Sequence, residues 1–207
     1  MFGVSVTEIT SLLPVFYEKL DPFLVWPTEE DWRSMLGIWT NLSMAVGAID
    51  GTSYRIYRPE VEPQELYYLG HRHFHCIHTQ VVSVAYGTIR YIDLNDAQQF
   101  GLMRQFGNYL IFPEELCLLA EIIDPNRSPV LTSYTSAQLA RRPLVKRRTY
   151  RKFNNLIRKY KIRVEHAIAD HKTYKYAGSL WRHPMDMLSS TVCAYLVCRR
   201  KAIGLIL

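Results

Sequence analysis

The chain has 207 residues, 48% of them hydrophobic and 21% charged, with a formal net charge of +6 and a pI near 9.1. That is enough chain to bury a sizeable core, and the balance excludes a disordered or fibrous protein. No apolar run reaches the roughly 18 residues a membrane span needs, and no basic segment precedes an apolar stretch as in a secretory leader. The four cysteines (Cys76, Cys117, Cys193, Cys198) form no CxxC pair and read as reduced thiols of an intracellular protein. Charge is unevenly spread. Arg141 to Arg163 holds 11 Lys or Arg and no acid, whereas the first 65 residues hold ten Asp or Glu.

Residues 5–20 read as an amphipathic helix, with Ile9, Leu12, Leu13 and Phe16 near helical spacing, Ser5 or Thr7 as cap, and Pro14 inside. Pro27-Thr28-Glu29-Glu30-Asp31 is a helix start, with Thr28 as N-cap and acids in the first turn; that helix should end near Leu36-Gly37. Ala45 to Ile49 is an apolar run that meets Asp50-Gly51-Thr52, the pattern of a buried strand delivering one carboxylate at its end. Gly51 then gives a turn, or room for a group to approach Asp50.

Ser53–Tyr57 alternates as a second strand, and residues 60–70 read as a loop. His71–Val84 and Thr88–Ile92 read as two more strands around a Tyr86-Gly87 turn. Asn95-Asp96 predicts a helix start, with Phe100, Met103 and Phe106 facing inward. Leu116–Ala120 repeats the buried-strand pattern and ends in Glu121. Residues 124–129 are an irregular loop. From Thr149 to Lys172 the residues Phe153, Ile157, Tyr160, Val164 and Ile168 step by three and four, giving a long helix with a basic outer face that carries Glu165. A final apolar helix is expected from about Pro184 to Ile203.

Buried carboxylates at strand ends are costly unless a cation neutralises them. Oxygen-only donors suit Mg²⁺ or Mn²⁺, and two such ions about 4 Å apart activate a water against a phosphodiester and steady its leaving oxygen. Asp50, Asp96, Glu121 and Glu165 are the candidates. Glu165 has a plainer alternative, an ion pair with a Lys or Arg one turn away. His71, His73 and His75, with His78 nearby, suggest either a zinc site or a polar strand face. The run holding Arg141, Arg142, Lys146, Arg147, Arg148, Arg151 and Lys152 fits a DNA-backbone grip or a nuclear import signal. A Ser/His hydrolase has no nucleophile-elbow pattern to support it.

Ala48-Ile49-Asp50-Gly51-Thr52, Asn95-Asp96-Ala97-Gln98-Gln99-Phe100, Leu118-Leu119-Ala120-Glu121 and Arg163-Val164-Glu165-His166-Ala167-Ile168 resemble, in order, the acidic blocks of the Harbinger-type transposase-derived nucleases, in the DDE superfamily of endonucleases. Gly70–His75, Ser133-Tyr134-Thr135, Arg151-Lys152-Phe153-Asn154 and Leu180–Pro184 extend the resemblance from about residue 20 to 200. It implies metal-dependent cleavage of DNA in the nucleus, with Asp50, Asp96 and Glu165 at the family's metal-site acids and Glu121 where the family has Asp. It also implies a Myb-like DNA-binding partner. The Gly-rich loop usual before the Asn-Asp pair is missing.

The expected fold is α/β, an RNase H-like mixed sheet flanked by helices over residues 45–207, after a helical extension over residues 1–44. The expected function is a Mg²⁺- or Mn²⁺-dependent DNA endonuclease. The alternative is a catalytically decayed or co-opted DNA- or protein-binding module on the same fold.

Overall fold

A computed structural model describes residues 5–20, 26–60, 63–84, 89–96, 111–121, 129–185, 187–188, 190–192 and 194–195. Helix α1 (Val6–Leu20) carries Pro14 within it, and Ser5 and Glu8 exchange hydrogen bonds at its start as a capping pair. Leu12, expected to face inward, is 46% exposed. Helix α2 (Glu29–Ser34) starts on a capping box between Thr28 and Asp31, and Gly37 at φ +78° lets the chain turn away after it.

Among the described residues the sheet has six strands: β1 (Ala45–Arg55), β2 (Tyr68–Leu69), β3 (Phe74–Val84), β4 (Ile89–Asp96), β5 (Cys117–Ala120) and β6 (Val130–Thr132). Their order is β2-β3-β1-β5-β6, and β4 also pairs with β3, beyond the short β2 ladder. β1 and β4 run antiparallel to β3, whereas β5 and then β6 run parallel to β1. The chain is therefore a mixed α/β protein with an antiparallel meander on one side of a central strand and a parallel pair on the other.

Two expectations are corrected here. The strands expected at 45–50 and 53–57 are one strand, because Asp50-Gly51-Thr52 continues the ladder to β3 (Asp50↔Val81, Gly51↔Gln80, Thr52↔Thr79). Asp50 is thus mid-strand, and Gly51 makes no turn. Asn95 and Asp96 close β4 instead of opening a helix; their backbone pairs with His78 and Ile77, so the β3 ladder outweighs the N-cap preference. The continuation expected at Phe100, Met103 and Phe106, the Tyr86-Gly87 turn and most of the 124–129 loop lie outside the described residues. Within 60–70, Gln64–Tyr67 and Gly70–Arg72 form 3₁₀ turns flanking β2. Strand β6 was not foreseen, three residues being too few for a period-2 pattern to register.

Short α3 (Ser136–Ala140), capped by Thr135 and Gln138, leads into α4 (Leu144–Lys172), which starts five residues before the predicted Thr149. After it come α5 (Lys175–Gly178) and helical residues at 187–188, 190–192 and 194–195; the rest of the helix expected to Ile203 lies outside the described residues. Helix α4 lies on one sheet face, where Ile157, Tyr160 and Val164 are buried with Ala45, Ala48, Val81, Leu119, Leu188 and Val192. Trp39 stacks on Tyr160 at 5.0 Å. The opposite face buries Trp32 and Met35 against Val46, Ile49, Val82 and Leu118. Ala48 and Ile49 thus face opposite ways, and by the two-residue strand period Asp50 points with Ala48 toward α4. Gly47 is required where β3 passes, since a Cβ there would stand 2.8 Å from the Ser83 carbonyl. Cys76 and Cys117 are free thiols.

Candidate functional site

Strand β1 and helix α4 run side by side, and their facing polar residues meet at two levels. At the first, Lys161 reaches the sheet with a side chain only 7% exposed, and three carboxylates converge on its ammonium. Glu121 Oε1 is 3.0 Å from Nζ, Glu165 Oε1 3.1 Å and Asp50 Oδ1 3.5 Å. The fold explains the meeting. Asp50 leaves β1 on the α4 face, Glu121 follows the last residue of neighbouring parallel β5, and Glu165 sits one turn beyond Lys161 on α4. Glu121 and Glu165 are about half exposed (54% and 49%), whereas the Asp50 side chain is 18% exposed.

The electrostatics follow from that burial. Desolvation pushes the Asp50 carboxyl above its usual range; Lys161 and the Gly51 N–H, which donates to Oδ1 at 3.0 Å, pull the other way without prevailing, and Glu121 and Glu165 add repulsion. For Lys161, burial opposes the charge, but Asp50, Glu121 and Glu165 together outweigh it and hold the ammonium above its usual range. The two directions agree physically, because one shared ammonium at 3.5 Å does not offset both the burial of Asp50 and two neighbouring acids.

The backbone of Asp96 stands away from this meeting. The register sets Asp50 level with Val81 and Ile92, so Asp96 lies four residues further along and two strands across. At about 3.3 Å per residue and 4.8 Å per strand, its backbone is roughly 16 Å from that of Asp50. The room at Gly51 is also taken: a Cβ there would stand 2.8 Å from His78 Nε2, and His78 Nδ1 meets Ser53 Oγ at 3.2 Å. The other histidines disperse, His75 against the Tyr68 ring and His73 at the left-handed cap of a 3₁₀ turn, and the His71 side chain lies outside the described residues. Among the described residues no group of three or more His, Cys, Asp or Glu is arranged to hold a metal ion.

The divalent pair that the resemblance implies therefore meets a donor set that does not fit it. A magnesium ion takes oxygens at about 2.0–2.1 Å, and the point where Asp50, Glu121 and Glu165 converge is the point Lys161 Nζ holds. Two ions also need the fourth acid, which the register sets apart.

At the second level Tyr54 meets His171. The Tyr54 hydroxyl is 2.7 Å from His171 Nε2, and the Tyr176 hydroxyl is 3.2 Å from Nδ1. Lys172 donates to the carbonyls of Ser53 and Ala177 and stands 4.0 Å above the Tyr54 ring. Burial pushes its ammonium down to about 8 and pushes the Tyr176 phenol up.

The basic run divides by role. Arg147 donates from Nε to the Arg142 carbonyl and from Nη2 to the Ala140 carbonyl, binding the α3–α4 turn. Arg142 lies over the Tyr150 ring, and exposed Arg141 caps the end of α3. Tyr150 and Phe153 pack on Tyr134, whose backbone N–H and C=O are both bonded by the Asn154 amide, so two of the blocks that carry the resemblance touch. Exposed Lys146 is on the α4 line that faces the sheet further along.

Arg148, Arg151 and Lys152, with Arg158 and Lys159, are exposed and fall within an arc of roughly 120° opposite the buried Ile157, Tyr160 and Val164. In the sequence Arg158 and Lys159 show only as part of a basic outer face; Lys161 does not stand out there beyond its spacing of four from Glu165. In comparisons with known proteins, the chain matches no family model, no curated protein and no solved structure.

Proposed function

We propose that the domain binds nucleic acid through the outer face of α4 and does so without cutting it, the non-catalytic alternative within the transposase-derived resemblance. The observation that carries this is the stripe of Arg148, Arg151, Lys152, Arg158 and Lys159. At 1.5 Å per residue it spans roughly 17 Å, and duplex DNA presents a phosphate charge every ~1.7 Å of axis. No acid lies between Arg141 and Arg163, so the stripe is unopposed within the helix until Glu165. Contacts of this type hold the backbone and carry no base readout. The strand order, a meander and a parallel pair about β1, supports the RNase H-like reading of the fold. The test is duplex binding as a function of salt. Replacing the five residues by Gln should weaken binding at 0.1 M salt by at least tenfold and lower the log–log salt slope by roughly 4. An unchanged slope contradicts the proposal.

Metal-dependent phosphodiester cleavage is the second reading. What favours it is that Asp50, Glu121 and Glu165, three of the four acids picked out by the resemblance, reach one point. It requires Lys161 to leave that point, and plasmid nicking that Asp50→Ala abolishes would establish it.

A further inference from the structure

We infer that Lys161 is the resident cation of this domain: its ammonium fills the point on which Asp50, Glu121 and Glu165 converge, so the wild-type cluster binds no divalent ion. Three carboxylates brought within 3.0–3.5 Å of one point need a positive centre, and a buried Asp50 without one would be strongly unfavourable. Here that centre is covalently part of α4, the helix that supplies one of the acids. Its local concentration is fixed by the fold, and it is in place whenever α4 is docked. A free divalent ion would have to displace a group that is only 7% exposed and that three acids hold at once.

The reach of the Glu121 side chain suits this arrangement. Its carboxylate closes on an ammonium at hydrogen-bond distance, 3.0 Å, instead of fitting a fixed octahedron. Lys161 bridges β1, β5 and its own helix, so it performs the cross-linking a metal ion would otherwise supply. The inference stands apart from the nucleic-acid reading, because it is tested without DNA.

The test is thermal melting of the full chain in EDTA and in millimolar Mn²⁺, reading the part of any Mn²⁺-dependent rise in Tm that Asp50→Asn removes. In the wild type that part should be absent. Lys161→Met should melt lower than wild type in EDTA and regain stability in Mn²⁺. The gain should be roughly 5 °C or more once the ion exceeds its Kd a hundredfold, and should be lost again when Asp50→Asn is added. Lys161→Arg keeps the charge and should remain insensitive to Mn²⁺. A wild-type protein that Mn²⁺ stabilises through Asp50 overturns the inference, and this arm decides even if Lys161→Met does not fold. A folded Lys161→Met that gains nothing from Mn²⁺ overturns it as well.

Discussion

Two lysines eleven residues apart on one helix face the same strand, and their surroundings move them in opposite directions. Lys161 sits among three carboxylates, which hold its ammonium above the usual range against the penalty of burial. Lys172 is set among carbonyls and a tyrosine ring, and burial brings it down to about 8. Burial is common to both; the difference is the charge of the partners. The first junction opens toward solvent through Glu121 and Glu165, whereas His171 in the second is 3% exposed. One is a charged contact between the central strand and α4 that opens to water through its glutamates, and the other is part of the core that happens to be polar.

Substitutions that break this contrast should rank accordingly. His171→Ala removes the imidazole that Tyr54 and Tyr176 share and leaves a cavity, so it should cost about 3 kcal/mol or more in urea denaturation. Lys161→Met should cost about 2 kcal/mol at pH 7, below the ~3–5 kcal/mol of a fully buried pair, because Glu121 and Glu165 can turn to water.

The two lysines also predict opposite pH slopes. The unfolded Lys172 ammonium titrates near 10.5 and the folded one near 8, so between those values the unfolded chain holds more protons and stability rises with pH. Lys172→Met should flatten that rise in denaturant midpoints taken across pH 8 to 10.5. The stability that Lys161 contributes is present below pH 10.5 and is lost as pH climbs through its raised folded value, a fall that Lys161→Met should remove. The smallest effect is expected of Asp50→Asn. A carboxyl that burial already holds above its usual range gives little stability at neutral pH, so the change should be under about 1 kcal/mol by the same urea assay.

Much of the frame was legible in the chain because it rests on local signals. The Thr28–Asp31 cap, the apolar run from Ala45 to Ile49 and the stepping of Ile157, Tyr160 and Val164 each declare an element within a few residues. Asp50 and Glu121 stand out in the chain as acids closing apolar runs, whereas Glu165 joins them there only through the resemblance; its plainer reading, an ion pair one turn away, is the contact it makes with Lys161. What could not be read was register. Whether Asp50-Gly51 turns or continues depends on β3 lying alongside, and whether Asn95-Asp96 caps a helix or completes a ladder depends on the same strand. Register also decides that Asp96 falls far from Asp50. The role of Lys161 was hidden for another reason. Four residues beyond Ile157 and three before Val164, Lys161 falls beside the apolar stripe by helical period, but which groups it meets there is set only by where the sheet docks.

Two proposals meet in one assay: that α4 holds a nucleic-acid backbone, and that Lys161 keeps a catalytic cation out of the acidic cluster, so that the backbone stays intact. The most direct measurement incubates supercoiled plasmid with wild-type protein in Mn²⁺, Mg²⁺ or EDTA, scoring retardation and nicking on the same samples. The expected result is retardation that fades with salt and a plasmid that stays supercoiled in all three conditions. Nicking that requires the metal and vanishes in Asp50→Ala would contradict it.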